Sequence, residues 1–394
     1  MIPSLRQEFN RRWTSAGYAR FLELLEERSG VAAQFRHSET PCFLPAALID
    51  RMARYGREMI GQLMGDQAYQ RDSRAAIPER YRAPNEAPVP LFVQADFGID
   101  AAGEPKLVEI QGFPSLYAYQ PVMAECYRDA YGIDAELAVL PGGLALPEYH
   151  ALLRRAIVGS CDPENVVLLE VDPERQKTRC DFLLTERMFG VRSVDIRAVR
   201  KQGNRLCYER DGRWTPVERI YNRAIVDELE RRAIEMPFDF RDDLHVEWAG
   251  HPNWFFRLSK FSLPYLHHPA APAAQFLDRV ERVDHPERYV LKPLYSFAGL
   301  GVVVGPTQAQ IDAVPASRRG EYLLQERVDF APVVETPAGT AKIEVRIMYL
   351  WQDGLGLEDL RAVNTIVRMG RGAQMGVDHN KGFEWVGASA GFIA

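Results

Sequence analysis

The sequence predicts a mixed α/β protein, in which α+β lobes accompany a Rossmann-like central unit and a helical region leads the chain. Three observations predict this fold class. Residues 19–28 and 48–64 carry apolar side chains at helical spacing. Residues 165–195 follow the order strand, loop, helix, strand. Several other segments are apolar runs on either side of glycine-containing turns, which is typical of hairpins.

Composition limits the class of protein. A chain of 394 residues is long enough for more than one structural unit. Hydrophobic residues make up 46% of it and charged residues 26%, as in soluble globular proteins. The net charge of -6 disfavours nucleic acid as the main partner. The first residues lack the apolar core of a signal peptide, and no apolar run is long enough to span a membrane.

The five cysteines are scattered and show no Cys-x-x-Cys spacing, which predicts reduced thiols. We therefore expect a cytoplasmic protein that has no membrane or nucleic-acid partner. A homodimer is compatible with the sequence, which does not specify the oligomeric state.

The helical N-terminal region, residues 1–90, shows no motif with catalytic chemistry. Its arginine-rich helix faces are typical of solvated surface.

Residues 289–304 form the stretch with the clearest chemistry. Lys292 lies on an apolar strand that enters a turn containing Ser296, Gly299 and Gly301, and a second apolar strand follows. Glycines let backbone N–H groups approach a ligand closely, and a nearby lysine suits a polyphosphate. An ordinary hairpin with a surface lysine is the alternative. Neither a Walker-type loop nor a dinucleotide-binding Gly-x-Gly-x-x-Gly motif occurs.

A second hairpin, residues 91–111, carries acidic groups. Strand alternation places Glu109 and Gln111 on one face, and Asp96 on the partner strand can lie opposite them. Two carboxylates and a carboxamide form an oxygen-only set, which suits Mg²⁺ held between protein and phosphates. The alternative is an exposed sheet face that happens to be acidic.

The β-α-β segment ends in polar residues at a position where open α/β sheets bind ligands. After the strand at residues 219–222 comes Arg223, which can meet an anionic substrate or phosphate. A surface ion pair is the alternative for this arginine.

Together these motifs resemble the ATP-grasp superfamily, in the circularly permuted form related to the ligase domain of glutathionylspermidine synthetase. The resemblance covers residues 90–394. Its order is permuted, because the segment that matches the family's magnesium ligands lies upstream of the lysines. The matching positions are Asp96, Glu109-Ile-Gln111, Lys260, Lys292, the turn of residues 296–301, Leu324-Gln325-Glu326 and Glu344-Val-Arg346.

The resemblance implies a division of the chain. A metal-binding hairpin would occupy residues 91–125 and a Rossmann-like unit residues 126–255. A lobe with a glycine flap would occupy residues 256–325 and the other lobe residues 326–394.

It also implies site roles. Asp96, Glu109 and Gln111 would hold Mg²⁺, although the family has Asn where this chain has Gln111. Lys260, Lys292, Ser296, Gly299, Gly301, Gln325, Glu326 and Arg346 would bind ATP. Arg346, Lys292 and Arg223 would act in catalysis.

The implied activity is an ATP-dependent carboxylate–amine ligase that forms an amide through an acylphosphate. Its substrates would be a small carboxylate and a small amine. No covalent nucleophile is needed, and the sequence shows no catalytic triad pattern. Two alternatives remain: a phosphotransferase on the same fold, and a nucleotide-binding module without turnover.

Overall fold

The computed structural model describes residues 1–296, 299–372, 374–380 and 382–394, so residues 297 and 298 of the predicted glycine turn lie outside the described ranges. The α-helices of the described ranges are α1 (Pro3–Arg12), α2 (Ser15–Ser29), α3 (Ala46–Gly65), α4 (Gln67–Ala75), α5 (Tyr119–Tyr131), α6 (Leu146–Val158), α7 (Arg179–Phe189), α8 (Val226–Arg231), α9 (Asn253–Arg257) and α10 (Gln308–Asp312). The β-strands are β1 (Cys42–Leu44), β2 (Phe92–Ile99), β3 (Pro105–Gln111), β4 (Val166–Glu170), β5 (Arg192–Asp195), β6 (Arg200–Gln202), β7 (Arg205–Arg210), β8 (Arg213–Val217), β9 (Arg219–Asn222), β10 (Glu247–Ala249), β11 (Ala274–Phe276), β12 (Tyr289–Pro293), β13 (Val303–Val304), β14 (Tyr322–Glu326), β15 (Val334–Thr336), β16 (Gly339–Trp351), β17 (Leu360–Gly370), β18 (Gly387–Ser389) and β19 (Gly391–Ile393).

The predicted N-terminal helices are confirmed as α2 and α3. The hydroxyl of Thr14 caps α2 by accepting from the N–H of Gly17, and Gly30 ends the helix at φ 80°. Helix α3 buries one face, including Met52 and Met59, against the large sheet. Burial of that stripe fixes the helix on the sheet. None of the helices in the described ranges is long and apolar enough to cross a membrane.

A four-stranded parallel sheet has the order β10-β9-β4-β5. Strand β4 is buried along its whole length, as expected for a central parallel strand covered on both faces. Helix α7 connects β4 to β5 and ends at Gly190 with φ 76°. This is the β-α-β unit that the sequence predicts. The carboxyl ends of β4 and β9 lie at the same edge of this sheet.

The largest sheet joins distant parts of the chain. Its antiparallel order is β18-β17-β16-β2-β3, and β15 pairs with β16. Strands β2 and β3 therefore share a sheet with strands that begin more than 200 residues later. The register places Asp96 opposite both Arg346 on β16 and Glu109 on β3, and it places Glu344 opposite Arg368 on β17.

A separate antiparallel sheet, β11-β14-β12-β13, carries Lys292. The glycine turn connects β12 to β13, and Gly301 has φ 73°. A Cβ at this glycine would lie 2.9 Å from Pro293 Cγ, so both backbone conformation and space favour glycine.

Two smaller sheets complete the fold. The predicted Asp-Gly hairpin is confirmed as β7–β8, because Asp211 and Gly212 have φ 51° and 78°. Strands β1 and β19 pair in parallel and tie the two ends of the chain together. The structure is thus a mixed α/β protein, as the sequence predicts. The predicted domain boundaries remain a prediction.

Candidate active site

A cavity of about 990 Å³ is lined by residues of the two larger antiparallel sheets and of the carboxyl edge of the parallel sheet. Ten lysines and arginines but seven aspartates and glutamates are among the described residues that line it. This cationic excess contrasts with the net charge of -6 for the whole chain, and it favours an anionic ligand. The cavity brings together these predicted site residues: Asp96, Glu109, Gln111, Arg223, Lys260, Lys292, Ser296, Gly299, Gln325, Glu326 and Arg346.

Gly301 is the predicted site residue that is not among the residues lining the cavity. Its positive φ serves the geometry of the turn. Gly299, which does line the cavity, also has a positive φ, of 75°. A Cβ on Gly299 would lie 3.3 Å from His379 Nε2. The turn therefore packs closely against the loop that follows β17.

Lys292 is buried in the cavity wall. Its Nζ donates to the carbonyl oxygen of Val108 at 3.1 Å and to Oε1 of Gln325 at 2.6 Å. The pKa of Lys292 is lowered to about 8, mainly by burial and also by the nearby cation Lys260, while Glu109 opposes both effects. An incoming phosphate would restore the lost solvation of this ammonium group.

Lys260 lies beside the glycine turn. Its Nζ donates to the carbonyl oxygen of Ser296 at 2.5 Å and is 3.7 Å from Oε2 of Glu109. The hydroxyl of Ser296 is buried and has no hydrogen-bond partner among the described residues. Such an orphaned group at a lysine-rich wall fits a phosphate oxygen as its partner.

One part of the cavity wall, next to Lys292 on β12, is apolar. Val108, Val290, Val304 and Phe330 line it. The predicted hinge residues Gln325 and Glu326 also line the cavity, although the Gln325 side chain accepts from Lys292. Apolar walls beside an exposed strand end are suited to a flat heteroaromatic ring.

The acidic hairpin forms an ion-pair network with two arginines. Arg346 donates from Nε to Oδ1 of Asp96 at 2.5 Å and from Nη2 to Oδ2 at 2.6 Å, and Arg368 donates to Oδ2 at 3.2 Å. Burial by itself raises the pKa of Asp96, but the two arginines outweigh it and hold the pKa below its ordinary value. Glu344 also pairs with Arg368.

These pairings bear on the predicted magnesium site. Asp96 is committed to arginines, and Glu109 lies between Lys260 at 3.7 Å and Arg346 at 3.8 Å. Within the described ranges, no group of three or more His, Cys, Asp or Glu side chains is arranged to hold a metal ion. The donor atoms have the right chemistry for Mg²⁺, but as paired these residues do not fit a bare Mg²⁺ ion. The metal assignment of Asp96, Glu109 and Gln111 remains a prediction.

Arg223 lies in a second compartment, at the carboxyl edge of the parallel sheet. It is buried and donates from Nη1 to Oδ2 of Asp181 at 2.9 Å. Asp181 also accepts from the backbone N–H groups of Leu116, Ala118 and Tyr119 and so fixes the loop before α5. This ion pair is internal, so the surface-pair alternative for Arg223 is wrong.

Glu170 shares this second compartment. It lies at the carboxyl end of β4, is 3% exposed and accepts from the N–H of Val171 at 2.8 Å. The pKa of Glu170 is raised to about 8, mainly by burial and in smaller part by Glu228 and Asp195, while Arg223 and the Val171 N–H oppose the shift. A buried carboxyl group in a cavity wall is suited to meet a cation or to exchange a proton.

Sequence reasoning missed four residues of this cavity or its walls. Arg368 and Lys342 are on the same face as Glu344 and Arg346, and strand alternation on β17 and β16 was the available signal. Gln94 contacts Arg346 and lies two residues before Asp96 on β2. Glu170 is the last residue of an otherwise apolar strand, and that position was a usable signal.

The resemblance implies that ATP binds in this cavity, and such binding is then expected to weaken as the pH rises through about 8, because Lys292 must be protonated to hold a phosphate. Above that pH, binding should take up a proton and lose up to about tenfold in affinity per pH unit. Calorimetry in buffers of different ionisation enthalpy measures the proton uptake. A Lys292→Met variant should show no uptake, whereas Lys106→Met, on the edge strand β3 outside the cavity, should keep it. A flat profile in wild type would contradict this assignment.

Comparison with known proteins supplies a fold and no family. No profile of a known protein family matches the chain, and no curated protein resembles it in sequence. Among solved structures, the glutathione synthetase-like effector from Globodera pallida, solved in its apo form, matches with a TM-score of 0.58 at 12% identity. The match covers 99% of this chain and 98% of that chain. The chain therefore has a glutathione synthetase-like fold.

Proposed function

Proceeding from this fold, we propose that the protein is an ATP-dependent carboxylate–amine ligase of the circularly permuted ATP-grasp type. One observation carries the proposal: Lys260, Lys292, the glycine turn and the acidic hairpin line one cavity, although the chain separates them by up to about 200 residues. The structural neighbour's description as glutathione synthetase-like agrees with a ligase fold. The pairing of β2 with β16 supports the permuted order, since it joins the upstream acidic hairpin to the C-terminal strands.

ATP would lie with its base against the apolar part of the cavity wall and its phosphates against Lys260, Lys292 and the orphaned hydroxyl of Ser296. In the first step a substrate carboxylate oxygen attacks the γ-phosphorus. An O–P bond forms, the bond from the γ-phosphorus to its bridging oxygen breaks, and ADP leaves with that electron pair. The two lysines and Arg346 supply positive charge where the transferred phosphoryl group is most anionic. Mg²⁺ would enter with the nucleotide as part of the substrate.

The second step joins the amine in the compartment of Glu170 and Arg223. The incoming ammonium group gives one proton to the ionised form of Glu170, which is the minority form at pH 7 because the pKa is about 8. The free amine then attacks the acyl carbon. A C–N bond forms, the C–O bond to phosphate breaks, and the departing phosphate takes the second proton from nitrogen. A pKa near the working pH suits Glu170 for this transfer. The glycine turn, packed against the loop after β17, would exclude water from the acylphosphate.

Hydroxylamine trapping tests this function. The protein is incubated with ATP, Mg²⁺, hydroxylamine and pools of amino acids and short peptides. We expect ADP release that depends on a carboxylate and is matched by hydroxamate formation, because hydroxylamine captures acylphosphates. Lys106→Met is a control that should behave as wild type.

Three other outcomes would each contradict the ligase. A stable phosphate ester would indicate a phosphotransferase. ATP binding without ADP release from any pool would indicate a non-catalytic module, which the pairing of Asp96 with two arginines specifically favours. Absence of ATP binding would remove the nucleotide site altogether.

A further inference from the structure

Each of the three nitrogens of the Arg346 guanidinium group donates to a protein acceptor. Nε and Nη2 donate to Asp96 at 2.5 and 2.6 Å, and Nη1 donates to Gln94 Oε1 at 2.7 Å. With its amide oxygen turned toward the arginine, Gln111 accepts from Nη1 at 2.7 Å and from Nη2 at 2.9 Å. A guanidinium group has five N–H donors. Protein acceptors therefore hold every nitrogen of this group, and Gln94 and Gln111 share Nη1.

The orientation of the Gln111 amide follows from the hydrogen-bond network. In the opposite orientation its nitrogen donates to Gln94 Oε1 at 2.8 Å but faces two nitrogens of the charged arginine. Turning the oxygen toward Arg346 also places it 2.8 Å from Gln94 Oε1. Two bonds to a charged group outweigh that contact and the lost neutral bond, so the oxygen belongs on Arg346. Gln111 lines the cavity and is partly exposed. Once its oxygen is committed, the group left for a ligand is the NH₂, a donor.

We propose that Asp96, Gln94 and Gln111 form an arginine clamp around Arg346, so that Gln111 and Arg368 offer hydrogen-bond donors to the terminal phosphate and neither Asp96 nor Gln111 ligates a metal. Arg346 then contributes its charge and holds the network in place. Arg368 is the more accessible arginine, with a side chain that is 21% exposed against 9% for Arg346. The extra methylene that distinguishes Gln111 from Asn lets its amide reach the guanidinium. This inference takes its ligand, ATP, from the proposed function.

Gln111→Glu distinguishes two roles for Gln111, a hydrogen-bond donor held in the clamp and a ligand to Mg²⁺, because they predict opposite changes in ATP affinity. A carboxylate at this position pairs well with Arg346, so the variant should fold, but it replaces the N–H₂ donor with a negative oxygen. The clamp predicts that ATP binds at least tenfold more weakly, with or without Mg²⁺, while ADP affinity changes less than threefold. A metal-ligand role predicts that MgATP binds as well as in wild type or more tightly, and that result would overturn the proposal. Isothermal titration calorimetry with ATP and ADP measures both.

The Mg²⁺ dependence of binding supplies a second measurement. Replacing Mg²⁺ with EDTA should weaken ATP binding by the same factor, within threefold, in wild type and in Gln111→Glu. A Mg²⁺ dependence that is much stronger in Gln111→Glu would overturn the clamp, because it would place the metal on residue 111. Gln275→Glu, the same chemical change on the exposed strand β11, is the matched control and should leave ATP affinity unchanged. The expected binding pattern without hydroxamate formation would end the ligase proposal and keep the clamp, whereas no ATP binding at all would end both.

Discussion

Replacing Lys292 with Met is expected to remove about half or more of the stabilisation of the protein by ATP. This ammonium group is buried at the cavity wall, and a hydrogen bond to a charged group there is worth about 1.5–3 kcal/mol, or roughly 10- to 100-fold in affinity. Ligand at a hundredfold excess over its dissociation constant stabilises a protein by about 2.7 kcal/mol. Wild type should show that stabilisation in thermal unfolding. Lys292→Met should show only about 0.4–1.4 kcal/mol at the same ATP concentration, because the ligand is then at one to ten times its dissociation constant.

Lys292→Met should remain folded. The pH dependence of its free energy of unfolding, compared with that of wild type, is a second check. Because the folded pKa of Lys292, about 8, lies below the unfolded value of 10.5, the unfolded chain binds more protons between these two pH values. Wild-type stability should therefore gain a rising contribution from pH 8 to 10.5, which Lys292→Met lacks. Below pH 8 the variant avoids a burial cost of about 3 kcal/mol, offset in part by two lost hydrogen bonds.

Lys106→Met is the matched control. An ATP shift in Lys292→Met as large as that of wild type would refute the nucleotide assignment of this wall.

Glu170→Gln is expected to separate the two chemical steps. Gln is isosteric with Glu and can still accept from the N–H of Val171, but it cannot take a proton from an ammonium group. A positioned general base contributes about 10²–10⁴-fold. Amide formation with an ammonium acceptor at pH 7 should therefore fall at least about 100-fold. Hydroxamate formation should stay within about threefold, since hydroxylamine is largely neutral at that pH and needs no base.

Thermal unfolding provides a folding control for this variant. The folded pKa of Glu170, about 8, lies above its unfolded value of 4.5, so wild type loses stability as the pH rises between them. Glu170→Gln should be the more stable protein at pH 8, and the two should be alike at pH 4. Equal loss of the amine and hydroxylamine reactions would show that Glu170 supports the fold of the cavity and does not accept the proton.

Sequence patterns within short segments were sufficient to predict many of the helices, strands and turns of the fold. The helices α2 and α3, the strand β4, the helix end at Gly190 and the Asp-Gly turn of β7–β8 all depend on local periodicity or on a glycine conformation. Local chemistry also selected Lys292, Glu109 and Ser296, because a lysine beside glycines and an alternating acidic strand are visible in the sequence.

The tertiary structure decided what those side chains contact. Pairing of β2 with β16 places Asp96 beside Arg346, 250 residues away along the chain, and leaves the carboxylate committed to arginines. The spacing of residues along the chain does not predict this register, because the register depends on which strands pair in the folded sheet. Burial likewise decides that Lys292 and Glu170 have shifted pKa values, and burial is a property of the packed fold. The sequence thus determined which residue types are present and which local elements they form. Only packing decided that an apparent metal-ligand set is held around an arginine.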